Sequence, residues 1–376
     1  MTGGAVGFRE RLQRALLAWK VRPRRIARHV AARAGRPGET LRRLDPAAVR
    51  LGAVQMRFEP APSPEDYAAR VLDLARRAVE DGAQLVAFPE DAALPLLGLL
   101  PGGVDLLAAP DVDTALASVG GGATVLDVLL FAGPAVERAY RAVFSAVARS
   151  LRVYVHAGSA MLPGRDDQVY NVAHLFGPDG RLLARSRKAH LLPLEAAWGL
   201  VPGEDLAVVD TLVGRVGLPV CMDATYWESF RILYLRGAEI AVLPVANPEP
   251  YDEWLALRGL WPRVQESPMY GLQSCLVGRV LGMTLTGKSG IYGPLELSPA
   301  GDGIWARMDD PEAEGVVVAA VDLRALAEHR RRLGLDRSFN LELYRRYLPG
   351  VYQRVARRMR ERAERRPRRP RGDGRR

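Results

Sequence analysis

The sequence predicts an α/β protein in which two mixed β-sheets pack on each other with helices outside. Three features point there. From Val49 onward, apolar strand patterns alternate with helical ones. Strands outnumber helices, and consecutive strands mix with βα units, which a singly alternating Rossmann or barrel pattern does not produce. At 376 residues and 48% hydrophobic content, the chain has the length and composition of a large soluble domain.

The elements follow in order. Val49–Gln55 is a short strand. Pro64–Glu80 is a helix with Tyr67, Val71, Leu74 and Ala78 on one face. Gln84–Glu90 is a buried strand ending in a carboxylate. Residues 91–133, rich in Gly, Pro, Ala and Leu, show no clear period and are expected to form a lid or binding loop. A helix over 135–150 precedes strands at 152–161 and 170–177. Pro178-Asp-Gly180 then turns the chain into a strand over 181–188. Further strands are expected at 206–209, 214–221, 239–247, 274–284, 290–292 and 315–323, and helices at 225–236, 259–272 and 324–333.

Charge is unevenly distributed. Residues 1–48 carry 12 Lys/Arg against 3 Asp/Glu, and residues 351–376 again 12 against 3, whereas the middle holds 29 against 37. The expected organisation is therefore a basic N-terminal extension and linker over 1–48, a mildly acidic main domain over 49–335, and a C-terminal extension over 336–376. The Arg-rich end of the last, with Pro367 and Pro370, is expected to be disordered. Within 7–34, Phe8, Leu12, Leu16 and Trp19 mark one face of a basic amphipathic helix restarted at Pro23. That helix either packs on the domain with its basic side solvated or makes a weak contact with an anionic surface or nucleic acid. Two cysteines argue against a disulfide framework and fit a reducing compartment. No run of 18 apolar residues and no secretory h-region is visible. The expected location is the cytoplasm, with a peripheral place at a membrane as the second expectation.

One motif misleads. Gly282-Met-Thr-Leu-Thr-Gly287-Lys-Ser289 matches a P-loop letter for letter. A P-loop needs a helix directly after Lys-Ser, and Gly290-Ile-Tyr-Gly-Pro294 cannot start one. No GxSxG or HExxH is present, and neither Cys nor His is spaced for a local zinc site, so no metal and no cofactor is expected.

Three residues at the ends of apolar strands remain: Glu90, Lys188 and Cys221. The stretch Val213–Cys221 stops at the cysteine and turns toward a helix, where N–H groups and the helix dipole favour a thiolate. Each residue alone has an ordinary explanation: a capping carboxylate, a solvated charge, a small buried hydrophobe. Together they are a base, a cation and a soft nucleophile, the parts of acyl transfer through a thioester.

The set resembles the nitrilase superfamily of carbon–nitrogen hydrolases. The matching stretches are Leu85-Val-Ala-Phe-Pro-Glu90, Tyr170-Asn171, Gly177-Pro-Asp-Gly180, Lys188-Ala-His-Leu-Leu-Pro-Leu-Glu195, Pro202-Gly203 and Gly217-Leu-Pro-Val-Cys221-Met-Asp223. Gly237-Ala238, Leu243-Pro244, Arg263 with Glu266, Gly287-Lys-Ser289 and Val321-Asp322 continue the pattern in order, over roughly 49–335. The resemblance implies a four-layer α-β-β-α sandwich and a Glu90–Lys188–Cys221 triad. In it Glu90 is the general base, Cys221 the nucleophile, and Lys188 with a backbone N–H at Met222 the oxyanion stabiliser. It also implies an auxiliary role for Glu195, catalytic or structural, and a homodimer or larger assembly. Ser267 and the stretch Val277–Gly282 depart from the pattern, where Asn is usual; this touches the substrate rather than the fold. Cys275 is expected to be buried and inert.

The Cys-Met-Asp sequence is similar to the amidase and carbamoyl-amide branches; Cys-Trp-Glu is the more usual nitrilase form. Membrane spans of the acyltransferase branch and an ATP domain of the glutamine-fed synthetases are not seen. The expected reaction is hydrolysis of a small linear amide to an acid and ammonia or an amine. The alternatives are a nitrile substrate, or a retained fold used for tethering through the basic tails. Trp198, Tyr226 and Asn247 are the candidates for the pocket.

Overall fold

In the computed structural model of the chain, residues 14–35, 41, 44–120, 122–165, 167–334 and 339–365 are described. Phe8 and Leu12 lie outside them. The chain divides into two compact units, Met1–Leu326 and Ala327–Arg376.

The first unit is a mixed α/β structure on a large mixed sheet. Its strands are β1 (Val49–Arg57), β2 (Leu85–Ala87), β3 (Tyr154–Pro163), β4 (Val169–Phe176), β5 (Leu182–Arg187), β6 (Val208–Thr211), β7 (Gly214–Gly217), β8 (Ile240–Val245), β9 (Tyr270–Val280), β10 (Met283–Leu285), β11 (Gly290–Tyr292), β12 (Ile304–Arg307) and β13 (Gly315–Val321). The order is β5-β4-β3-β2-β1-β9-β8-β7-β6; β10 and β11 pair with β9, β12 with β11, and β13 with β1. The pairing runs as one path through both halves, across a short parallel seam where Met56 faces Leu276 and Arg57 faces Val277.

Strand alternation sorts side chains into three cores. On β1, Leu51 and Ala53 enter a core shared by both halves of the sheet, with Leu85 from one half and Val242 and Leu272 from the other. Val54 and Met56 point the opposite way, into a core formed with helices α1 (Pro23–Ala34), α2 (Pro64–Glu80) and α3 (Val125–Leu151). A third core packs Leu243, Val245 and Cys275 under α4 (Trp227–Leu235) and α5 (Leu260–Glu266).

Several expectations change. The N-terminal stripe that packs is not Leu16 and Trp19, which are 54% and 59% exposed, but Leu17, Val21, Ile26 and Val30, all buried. Pro23 restarts the helix at its first turn, where its missing N–H costs nothing. Helix α3 begins at Val125, well ahead of Pro134, because Thr124 and Asp127 form a capping box there. The unpatterned stretch 91–133 is mostly helical, with a 3-10 turn Leu94–Leu99 and short helices Gly103–Leu107 and Val112–Val119. The helix expected over 259–272 stops at Glu266, before Pro268, and Tyr270 already lies in β9.

The second unit holds most of α6 (Leu323–Leu333) and all of α7 (Leu341–Arg365). Residues 354–365, the first part of the Arg-rich tail, are helical. Arg and Glu are good helix formers, and Arg345–Glu342 at 2.8 Å and Arg357–Glu361 at 3.8 Å pair at helical spacing. Residues 366–376 lie outside the described residues. Among the described residues no helix is long and apolar enough to cross a membrane.

Candidate active site

Glu90, Lys188, Glu195 and Cys221 converge where the two halves of the sheet meet. Glu90 follows β2, in the Phe88-Pro89 stretch. This stretch is held by β3, where Phe88 N–H donates to His156 O at 2.9 Å. Gly158, at φ +70°, lets the bulged β3 come so close that a Cβ there would lie 1.8 Å from Pro89 O. Burial pushes His156 down to about 3, so its ring is neutral at pH 7 and Nδ1 accepts the Gly158 N–H at 3.2 Å. Lys188 directly follows β5 and is fixed from both sides. Its N–H donates to Asn171 O at 2.8 Å, and its carbonyl accepts from Gly203 N–H at 2.7 Å. A Cβ on Gly203 would meet Arg187 O at 2.5 Å, which is why that position takes glycine.

The side chains form a closed, buried network. Lys188 Nζ donates to Glu90 Oε1 at 2.8 Å and to Glu195 Oε2 at 2.7 Å. Asn171 Nδ2 donates to both carboxylates, at 2.9 and 3.0 Å. Ala246 N–H donates to Glu90 Oε2 at 2.9 Å, and Leu192 N–H to Glu195 Oε2 at 2.8 Å. Glu195 therefore grips the Lys188 ammonium opposite Glu90. Asn171 and Ala246 were not among the expected site residues. Asn171 is, with His174, one of two polar side chains in the mostly apolar Tyr170–Phe176 stretch, and that is the signal that marks it, whereas a backbone N–H leaves none.

β7 stops at Gly217, four residues before Cys221, and the cysteine opens a 3-10 turn, Cys221–Thr225, rather than the helix itself. Its φ is +40°, a conformation that side chains rarely adopt. Asp223 fixes the turn by accepting from Val220 N–H at 2.9 Å and from His190 N–H at 2.9 Å. Strain held by a buried carboxylate keeps the sulfur at the corner.

The thiolate expected at this position is not the resting form. Burial first, and then the Glu90 charge beside it, hold the Cys221 thiol well above its usual range, against the pull of Lys188. Burial also raises Glu90, opposed by Lys188 and reinforced by Glu195. Burial would lower Lys188, but the Glu90, Cys221 and Glu195 charges outweigh it and the net direction is up. Lys188 is therefore an ammonium throughout the physiological range. The site holds a thiol under the influence of a carboxylate that is itself bound to a permanent cation.

Two cavities flank this cluster. A cleft of about 140 Å³ with mixed polar and apolar walls opens on the Cys221 side, lined by Met222, Asn247, Tyr251 and Lys288 among others. An apolar cavity of about 110 Å³ lies on the Glu90 side, and Trp198 lines it. Tyr226 lines neither; it stacks on His190 with ring centroids 4.4 Å apart and is 40% exposed. The P-loop-like segment ends in strand β11, with Ser289 N–H donating to Gln55 Oε1 at 2.7 Å, so no helix N-terminus is available there. Cys275 is buried, as expected, in the third core. Among the described residues no group of three His, Cys, Asp or Glu is placed to hold a metal ion.

Residues 50–331 match the model of the family described as carbon-nitrogen hydrolase. The chain belongs to the carbon-nitrogen hydrolase family. It is 30% identical over 217 residues to the chloroplastic omega-amidase of Arabidopsis thaliana, a match covering 54% of this chain and 55% of that protein. It is 30% identical over 215 residues to the omega-amidase NIT2 of Bos taurus, covering 53% and 72%. A nitrilase of Pyrococcus abyssi is 35% identical over 149 residues, covering 39% and 54%. The chain thus spans about half the length of the first of these relatives. Its fold is shared with a carbon-nitrogen hydrolase of Helicobacter pylori G27, at TM-score 0.61 and 21% identity, covering 80% of this chain and 98% of that one. It is also shared with an amidase from Nesterenkonia sp., at TM-score 0.54 and 23% identity, covering 77% and 98%.

Proposed function

We propose that the protein hydrolyses a small linear amide to an acid and ammonia or an amine, through a thioester on Cys221. The observation that carries this is the position of Glu90. Its Oε1 is bound to the Lys188 ammonium at 2.8 Å, and its charge acts directly on the Cys221 thiol.

Glu90 takes the thiol proton as Sγ attacks the carbonyl carbon, so no free thiolate has to be maintained. Lys188 Nζ has three N–H donors and uses two on Glu90 and Glu195. The third is available for the oxyanion, together with the Met222 N–H at the start of the turn, where helical N–H groups lack an internal acceptor. Collapse of the tetrahedral adduct breaks the C–N bond, and Glu90 returns the proton to the departing nitrogen. Water then attacks the thioester carbon and gives its proton to Glu90. The acid departs and the proton goes back to sulfur. Glu195 acts through Lys188, as a positioning residue.

A four-layer helix–sheet–sheet–helix arrangement, supported by the three successive cores, is part of the same proposal, as are a homo-oligomeric state and a cytoplasmic setting. The test is ammonia release from a panel of amides and nitriles, with Cys221→Ala as control and mass spectrometry of the quenched enzyme for an acyl adduct. Amide turnover with an adduct on Cys221 is expected. Turnover of nitriles alone, or amide turnover that survives Cys221→Ala, overturns the proposal.

A further inference from the structure

Resting on the amidase reading above, we infer that the apolar cavity beside Glu90 holds the acyl chain of the substrate. The preferred amides then carry an uncharged aliphatic chain of about four to six carbons, not a carboxylate-ended one.

The cavity has one polar end and otherwise apolar walls. Glu90, Asp91 and Glu195 line that end, and Leu97, Leu107, Leu116, Leu129, Val280 and Leu285 are typical of the rest. No Lys, Arg or His lines it among the described residues. The carboxylates of Glu90 and Glu195 are already committed to Lys188, Asn171 and backbone N–H groups. Burial and the charges of Glu90 and Glu195 hold Asp91 well above the usual carboxylate range, so it is a neutral acid there. A carboxylate on the far end of the substrate would lose its water and gain no cation. At about 110 Å³ the cavity is somewhat smaller than one of about 150 Å³ that binds benzene, which leaves room for a short chain.

Two segments distant in sequence form the walls. The 91–133 segment supplies one side and the β9–β10 hairpin the other. Leu281 N–H donates to Leu107 O at 3.0 Å. Leu281 and Gly282 both have positive φ, and a Cβ on Gly282 would meet Pro110 O at 1.8 Å. The hairpin tip is pressed against the segment, and only a tight turn with glycine permits that approach.

The chemistry assigns the chain to the acyl side. Through both halves of the reaction the acyl group stays bonded to sulfur, while the amine leaves and water enters. The cleft that Cys221 itself lines, with Asn247, Gln273 and Lys288 among apolar neighbours such as Leu243 and Leu255, suits the species that exchange. The apolar cavity suits the one that stays.

The experiment measures kcat/KM by ammonia release for acetamide through hexanamide, and for the half-amides of succinate and glutarate. N-pentylacetamide is assayed by amine release. The same ligands are titrated calorimetrically into the Cys221→Ala protein. The expected rise is about fourfold per methylene until the cavity is full. The half-amides should fall at least about a hundredfold below butyramide and valeramide. Ala115→Leu, which adds bulk inside the cavity, should lower the valeramide-to-acetamide ratio about tenfold or more. A flat chain-length series, preference for the half-amides, or preference for N-pentylacetamide over hexanamide overturns the inference while leaving amide hydrolysis in place. An Ala115→Leu variant that keeps the ratio does the same. Where that variant fails to fold, the series on the unaltered enzyme and the calorimetry decide. Tighter binding of valeramide than acetamide, with no amide hydrolysed, supports the cavity assignment and overturns the amidase reading instead.

Discussion

The chain has two cysteines, and they are alike in the property most often taken for reactivity. Both thiols are pushed up, Cys275 to about 12 by burial, and Cys221 well above its usual range by burial and by Glu90. Their surroundings differ. Cys275 sits on a regular strand with its N–H donated to Ser289 Oγ at 2.8 Å, among Leu243, Val245 and Val277. Cys221 sits at φ +40° on a turn, beside a carboxylate that faces an ammonium. A low thiol pKa is therefore not what separates them. A carboxylate whose charge acts on the thiol, and a cation bound to that carboxylate, are.

The largest effect should come from exchanging the two. Cys221→Ala should lower ammonia release by at least about 10⁴-fold. Cys275→Ala should leave turnover in place and cost about 1 kcal/mol in denaturant unfolding. Equal losses in the two variants would break the distinction.

Glu90→Gln should cost about 10² to 10⁴-fold in kcat/KM, the range of a general base, and it should change the pH profile. Glu90 works only when ionised, and its pKa is raised, so activity falls as pH drops through that raised value. The acid limb should thus lie above the about 4.3 of an unperturbed glutamate and vanish in Glu90→Gln. A limb that persists in the variant would move the base elsewhere. Lys188 is shifted up and stays charged, so it should contribute no alkaline limb near neutrality.

Lys188→Met leaves two buried carboxylates without their cation and should destabilise the fold by about 3–5 kcal/mol besides abolishing activity. A variant that is inactive but fully stable would mean that Lys188 is not the electrostatic centre of the cluster. The smallest effect tests Cys275 as packing. A Cβ on Gly287 would lie 2.8 Å from Cys275 Sγ, so Gly287→Ala should cost about 1–3 kcal/mol. Adding Cys275→Ala should return part of that loss in a double-mutant cycle, and strict additivity would show that the contact carries no energy.

Legibility in the sequence followed the range of the interactions. Glu90 and Cys221 each end an apolar run, Lys188 follows the mixed strand Leu182–Arg187, and helix α2 shows its buried Tyr67, Val71 and Leu74 at helical spacing with a Ser63 cap. Helix α3 was harder, because Pro134 reads as a breaker and the capping box at Thr124 lies in a stretch without a clear period. The start of β9 at Tyr270 was hidden because Tyr270 to Leu272 continue a helical pattern across Pro268. Tyr226 stands five residues after the nucleophile yet turns to stack on His190, a choice set by Asp223 and the turn it anchors.

By itself the sequence determined the chemical inventory: a carboxylate, an amine and a thiol in fixed order, each delivered by a local strand whose pattern needs only neighbours to form. Tertiary structure alone decided their protonation states and what reaches them. Desolvation and charge proximity depend on groups 98 residues apart, such as Glu90 and Lys188, lying 2.8 Å from each other in a buried site. The thiol is thus a thiol and not a thiolate. The stretch between Glu90 and α3 became one wall of an apolar cavity only because the distant hairpin at Leu281 closes on it.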